Sequence, residues 1–83
     1  MADLRPTVRA AIGSVAPEID PATIDDDAAF HVAANLDSMD FLTVLSTLAE
    51  DVGVEVPERD YPRVTTIRAL AAYLDAGRAA SGG

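Results

Sequence analysis

The sequence contains no cysteine and no lysine, and no apolar stretch in it is long enough to cross a membrane. Without cysteine, disulfides, thiolate metal sites and cysteine nucleophiles are excluded. The first ten residues, MADLRPTVRA, lack the apolar core of a signal peptide, so we expect a cytoplasmic protein with no membrane attachment. A chain of 83 residues also suits a single domain better than an enzyme with separate binding and catalytic halves.

Positive charge is scarce, because six arginines face 14 acidic residues and the formal net charge is -8. Nucleic acid is therefore not an expected ligand, since phosphate binding requires cations that displace counterions. A basic protein partner is the natural complement, through steering of the encounter. Most of the acidic residues lie between Glu18 and Asp60. Ordinary solubility explains the same surplus equally well.

Apolar periodicity predicts helical segments along the chain. The first covers residues 4–15 with Asp3 as a possible N-cap, and an irregular loop containing Pro17 and Pro21 follows it. The second begins in the motif NLDSMDFL and runs to Val52, where Gly53 acts as a stop. A third, ERDYPRV, is interrupted by proline and has room for about one helical turn.

The last helix begins at Thr65 or Thr66. Its buried stripe is predicted from apolar residues at i, i+3, i+4 and i+7, which are Ile67, Leu70, Ala71 and Leu74. We expect one domain over residues 1–76 and a flexible tail over residues 77–83.

The motif NLDSMDFL places a serine between two aspartates at a predicted helix start. Asp37 suits the N-cap position, and Asp40 three residues later completes an approximate capping box. Ser38 is then the first helical residue, exposed and with a free hydroxyl. A phosphate ester there would lie over free backbone N–H groups and the positive end of the helix dipole. The same letters also fit an ordinary helix that begins with Asp-Ser.

The second helix has an apolar face wider than one neighbouring layer requires. One arc is predicted to face the core and comprises Phe41, Val44, Leu45, Leu48 and Val52. A second arc begins beside Ser38 and comprises Met39, Leu42, Ser46 and Ala49. We expect the second arc to contact something outside the fold, although a central helix of a small bundle can bury both arcs.

These motifs together resemble the acyl carrier protein family, in its discrete bacterial form. LDSMDFL corresponds to the family's Asp-Ser-Leu attachment motif, VEVP to its Glu-Ile-Pro turn, and RVTTIRALAAYL to its final helix, in matching order over residues 4–74. The resemblance implies an all-α four-helix bundle with a short third helix and a long loop between the first two helices. It also implies a covalent 4'-phosphopantetheine arm, derived from coenzyme A and joined to Ser38 by a phosphodiester, with Asp37 as the motif's N-cap residue.

The resemblance implies that the chain is a carrier and not an enzyme. A phosphopantetheinyl transferase would activate Ser38 with coenzyme A and magnesium, and acyl groups would be carried as thioesters on the thiol that ends the arm. The chain has no base beside Ser38 to do this itself. Its one histidine, His31, is interpreted as structural or solvent-facing, not catalytic.

In the family, the acidic second helix docks on basic patches of partner enzymes. By position the docking residues here are Met39, Asp40, Leu42, Thr43, Ser46, Ala49 and Glu50. Met39 replaces the usual leucine, while Thr43 and Ala49 occupy positions that are commonly glutamate in fatty-acid carriers. These departures favour a specialised pathway. The expected partners of this monomer are the transferase, an acyl-loading ligase or transferase, and synthase enzymes, with fatty, polyketide or aminoacyl cargo.

Other functions leave weaker signals. An EF-hand loop from Asp25 would need glycine and glutamate where Phe30 and Leu36 stand, so no metal site is predicted and the acidic loop is expected to be solvated. The terminal Gly82-Gly83 is typical of ubiquitin-like sulfur carriers, but their fold requires several strands. A third alternative is an acidic helical adaptor that is never modified.

Overall fold

Helices form nearly all of the regular structure. The computed structural model describes residues 3–81. Its helices are α1 (Arg5–Val15), α2 (Phe30–Ala33), α3 (Ser38–Val52) and α4 (Ile67–Ser81), with 3₁₀ helices at Pro21–Thr23 and Glu58–Arg63. No β-strand forms between residues 3 and 81, which confirms the all-α prediction and does not fit the ubiquitin-like alternative. None of the helices in this range is long and apolar enough to span a membrane.

The core is built from one face of each long helix. Helix α1 packs against both α3 and α4. Each full burial of a large apolar side chain favours folding by about 1.5–3 kcal/mol, and the periodic stripes of all three helices supply such residues. Those on the long helices that lie in the core are Val8, Ala11, Ile12, Val44, Leu45, Leu48, Ile67, Leu70, Ala71 and Leu74.

The long connection between α1 and α3 is more regular than predicted. It contains the Pro21–Thr23 3₁₀ helix and the single turn α2, and its Phe30 side chain is fully buried. The Phe30 N–H donates to the Thr65 carbonyl at 3.0 Å, and the Arg68 N–H donates to the Asp26 carbonyl at 3.0 Å. The connection is thereby held against the start of α4. The predicted short third helix is present as the Glu58–Arg63 3₁₀ helix.

Asp26 corrects the prediction of a solvated acidic loop. Its carboxylate accepts hydrogen bonds from the guanidinium groups of Arg5, at 2.7 Å, and of Arg9, and Arg68 lies 3.7 Å away. Partial burial opposes ionisation, but the hydrogen bonds from Arg5 and Arg9 outweigh it, so the pKa of Asp26 lies below its usual value. Three arginines distant in sequence converge on one carboxylate, which spacing along the chain does not reveal.

Helix α1 begins differently from the prediction. Leu4 occupies the N-cap position and makes no side-chain capping bond, so Asp3 is not the cap. The Asp3 carboxylate instead accepts from the backbone N–H of Arg5 at 3.1 Å and from its guanidinium at 3.0 Å. At α4, the Thr66 hydroxyl accepts from the Ala69 N–H at 3.0 Å, as expected of a capping threonine.

Residues 77–81 of the predicted tail are helical in the structure, because α4 continues through Ser81. Gly82 and Gly83 lie outside the described residues. A Cβ added at Gly77 would meet Val54 Cγ1 at 2.6 Å, closer than real Cβ atoms approach. Glycine therefore permits close packing of α4 on the segment after α3, and it does not end the helix.

Candidate functional site

Ser38 is the first residue of α3, where the sequence places it. The Asp37 carboxylate caps the helix by accepting from the Asp40 N–H at 2.8 Å. The return bond of a full capping box, from the Asp40 carboxylate to the Asp37 N–H, is absent from the described hydrogen bonds, so only half of the predicted box forms. Ser38 is exposed, and its hydroxyl has no partner within residues 3–81.

The start of α3 is positioned by a Schellman motif that ends α2. Asn35 adopts a left-handed conformation, with φ of 54°. Its N–H donates to the Val32 carbonyl at 3.2 Å, and the Leu36 N–H donates to the His31 carbonyl at 2.7 Å. Asparagine tolerates this conformation better than most residues. The motif turns the chain sharply, so that Asp37 and Ser38 lie beside the turn that carries His31.

A groove of about 320 Å³ opens beside Ser38. It lies between α2, the beginning of α3 and the Glu58–Arg63 3₁₀ helix, and its walls are mostly apolar. The lining residues are His31, Leu36, Asp37, Ser38, Phe41, Tyr61, Pro62 and Thr65. Sequence reasoning did not predict this groove, because its walls come from segments that are distant along the chain.

Aromatic rings form one side of the groove. Phe41 stacks on Phe30 with ring centroids 5.5 Å apart, and Tyr61 meets Phe41 edge to face at 5.8 Å. The imidazole of His31 meets Phe41 edge to face at 5.9 Å. Its Nδ1 is buried and has no hydrogen-bond partner. The prediction that His31 is structural is consistent with this packing. It did not place the His31 ring beside Ser38.

The 3₁₀ helix that carries Tyr61 is fixed to α4. The Tyr73 hydroxyl donates to the Asp60 carboxylate at 2.7 Å. That hydrogen bond, with partial burial, raises the pKa of Tyr73 above its usual value, because ionisation would place two negative charges in contact. This hydrogen bond therefore holds the 3₁₀ helix that forms the wall of the groove opposite α2.

The second arc of α3 faces outward. Met39 is 75% exposed and Leu42 is 41% exposed, so the alternative in which both arcs are buried is wrong. Of the other residues predicted for docking, Thr43, Ser46 and Glu50 are exposed, while Asp40 and Ala49 are half-buried. The Thr43 hydroxyl donates to the Met39 carbonyl at 2.9 Å and so is already paired within the helix.

The acidic loop forms no metal site. Within residues 3–81, no group of three or more His, Cys, Asp or Glu side chains could hold a metal ion. Asp26 is engaged by arginines, and the Asp25 carboxylate accepts from the Asp27 N–H at 2.8 Å in a local turn. Through these contacts, the run of aspartates holds the loop in place.

Comparison with known proteins establishes the family. A family model described as the phosphopantetheine attachment site matches residues 6–74. An acyl carrier protein of Bdellovibrio bacteriovorus is 26% identical over 57 residues, which cover 69% of this chain and 73% of the relative. An acyl carrier protein of Thermosynechococcus vestitus is 27% identical over 57 residues, covering 69% of this chain and 70% of the relative. No solved structure matches significantly.

The fold and the family match define the class of protein as a helical carrier with a covalent prosthetic arm. The chain belongs to the acyl carrier protein family, and its cofactor is covalently attached 4'-phosphopantetheine. The residues around Ser38 fit such a group. An exposed hydroxyl at a helix N-terminus can bear a phosphodiester, and the adjoining groove has mostly apolar walls that also include His31.

Proposed function

We propose that the chain carries acyl or aminoacyl groups as thioesters on a 4'-phosphopantetheine arm attached to Ser38. The observation that carries the proposal is the placement of the Ser38 hydroxyl, which is exposed and unpartnered at the capped N-terminus of α3, inside the region that the family model matches. When bound, the arm supplies the thiol that the cysteine-free chain lacks. The chain's own residues hold the arm and present it to other enzymes.

Attachment requires a base that this chain does not provide at Ser38. His31 lines the same groove, but neither of its ring nitrogens is hydrogen-bonded to the Ser38 hydroxyl. A phosphopantetheinyl transferase would therefore remove the Ser38 proton while the Ser38 oxygen bonds to the pantetheine-linked phosphorus of coenzyme A. The pyrophosphate bond would break in the same step and release adenosine 3',5'-bisphosphate. The free N–H groups of α3 would favour the phosphodiester that forms.

The outward face of α3 is proposed as the docking surface for the transferase, for a loading ligase or acyltransferase, and for synthase enzymes. We define it by the seven residues Met39, Asp40, Leu42, Thr43, Ser46, Ala49 and Glu50. Exposed methionine and leucine beside carboxylates suit an apolar pocket with a basic rim. Because Thr43 and Ala49 carry no charge, apolar contacts should contribute a larger share of the binding free energy at this surface. This composition supports a role in a specialised pathway with fatty, polyketide or aminoacyl cargo. We place that pathway in the cytoplasm.

The attachment proposal is tested by mass spectrometry. Incubation with coenzyme A, magnesium and a broad-specificity phosphopantetheinyl transferase should add one phosphopantetheine mass to the chain. Ser38→Ala should abolish the addition, and Ser14→Ala, at an exposed serine on α1, should leave it intact. An unmodified wild-type chain would contradict the proposal and favour the adaptor alternative.

The docking surface is tested by charge substitutions. Met39→Glu or Leu42→Glu should slow modification by about tenfold or more, because an interface that buries these side chains would have to desolvate a carboxylate. Ala10→Glu adds the same charge to an exposed position of α1 and should have little effect. Thermal unfolding is the control: if stability collapses in the α3 variants, these side chains belong to the core and the assignment fails.

A further inference from the structure

The groove beside Ser38 contains several polar groups that make no hydrogen bond within the described residues. The Nε2 atom of His31 and the hydroxyls of Tyr61 and Thr65 make no hydrogen bond within residues 3–81. The remaining walls are apolar, with the edge-to-face pair of Phe41 and Tyr61 at 5.8 Å between ring centroids. Ligand pockets typically combine apolar walls with a few polar groups, so such a groove suits a ligand with an apolar body and a few hydrogen-bonding groups.

The imidazole presents a single usable nitrogen to such a ligand. Its ring is packed edge to face against Phe30 at 6.5 Å and Phe41 at 5.9 Å, which fixes its orientation. Nδ1 has no access to solvent, whereas Nε2 is neither buried nor bonded to the described protein. Of the two ring nitrogens, Nε2 is therefore the one that a ligand beside His31 can contact.

We propose that the section of the pantetheine arm nearest its phosphate lies in this groove and that His31 is the residue that holds it. The inference rests on the attachment proposed at Ser38. Pantetheine carries a geminal dimethyl group next to its phosphate, followed by a hydroxyl and an amide. The dimethyl group matches the apolar walls at Phe41 and Tyr61, and the hydroxyl or amide matches the imidazole nitrogen.

Attachment at Ser38 favours the arm, not its cargo, as the group that occupies the groove. The groove begins at Ser38 itself, so the first section of an attached arm reaches it without folding back. Attachment makes this binding intramolecular, with the high effective concentration that a short tether gives. A cargo group at the distal thiol would have to double back along the whole arm to enter the same space.

Nuclear magnetic resonance on the full chain tests the proposal, with the unmodified and modified forms compared. In the modified chain, the geminal methyl protons should show nuclear Overhauser effects to the rings of Phe41 and Tyr61, and the Nε2 resonance of His31 should shift. His31→Phe keeps an aromatic ring against Phe30 and Phe41 but removes the nitrogens, and it should weaken these effects. Val32→Thr, at an exposed position outside the groove, should leave them unchanged.

The outcomes separate this inference from the proposed function. A chain that gains no phosphopantetheine mass refutes the attachment at Ser38. A chain that gains the mass but whose arm shows no contact with the rings and no shift at His31 refutes the present inference alone. Contacts that arise only after the thiol is acylated would assign the groove to the cargo and likewise overturn it. If His31→Phe fails to fold, the wild-type Overhauser effects and the Nε2 shift still decide the question.

Discussion

Replacement of Gly77 by alanine tests whether α4 packs against the segment that follows α3. A Cβ at this position would lie 2.6 Å from Val54 Cγ1, 3.3 Å from Cγ2 and 3.6 Å from Cβ. Both methyl groups of Val54 therefore lie near the new atom, and the side chain would have to shift to accommodate it. Val54 is itself part of the core, which limits its movement.

The expected magnitude comes from two opposing effects. Alanine is favoured over glycine in a helix interior by about 0.8–1.0 kcal/mol. Forcing a methyl group into a packed site costs about 1–3 kcal/mol. Gly77→Ala should therefore lower the free energy of unfolding by up to about 2 kcal/mol. In a domain of this size, each kcal/mol corresponds to about 4–8 °C in melting temperature.

A double-mutant cycle isolates the packing contribution. In a Val54→Ala background, both methyl groups that oppose the new Cβ are gone, so Gly77→Ala should stabilise the chain by about 1 kcal/mol. The coupling between the two positions should then be about 1–3 kcal/mol, measured by urea unfolding followed by circular dichroism. Ala76→Gly, at an exposed position of α4, should cost about 1 kcal/mol if the helix is formed there.

Equal effects of Gly77→Ala in the two backgrounds would refute the reasoning, because the contact with Val54 would then contribute nothing. If Ala76→Gly were neutral as well, residues from 77 onward would behave as the flexible tail that the sequence predicts.

Two further predictions concern charged groups. Arg5 and Arg9 lower the pKa of Asp26 in the folded state from its ordinary value of 3.8. The ionised carboxylate therefore stabilises the fold above pH 3.8. This contribution is lost as the pH falls through the lowered pKa. Asp26→Asn should lower the melting temperature near neutral pH and flatten its decline in acid; an unchanged acid slope would contradict this. Asp37→Ala should lower the free energy of unfolding by about 1 kcal/mol, whereas Asp37→Asn, which keeps a capping oxygen, should lose much less. Equal losses in urea unfolding would show that the carboxylate charge, not the cap, matters.

Features that depend on neighbouring residues could be predicted from the sequence. The capping aspartate, the stop at Gly53 with φ of 80°, and the buried stripe of α4 each follow from local spacing and backbone chemistry. The exposure of Met39 and Leu42 follows in the same way, because α3 carries more apolar residues than one helix layer covers.

Features that depend on contacts between distant parts of the chain could not be predicted from the sequence. Gly77 begins the segment GRAASGG, which the sequence predicts to be a flexible tail, whereas in the structure Gly77 packs against the side chain of Val54, more than 20 residues earlier in the chain. Helix α2 is a single turn, too short for periodicity to detect. Its one local signal is Asn35 followed by apolar Leu36, the pattern of a Schellman motif. Recognition of that motif would have placed His31 near the start of α3.

The distribution of arginines links the anchoring of the loop to the surface proposed for docking. Three of the six arginines, Arg5, Arg9 and Arg68, pair with aspartates of the N-terminal segment and the loop. The residues of α3 include no basic side chain, so its carboxylates are not neutralised within their own helix. The ion pairs that hold the loop also hold α2, whose last turn positions the cap of α3. Half of the arginines thus hold the loop that leads to Ser38, while the face of α3 proposed for docking keeps its negative charge.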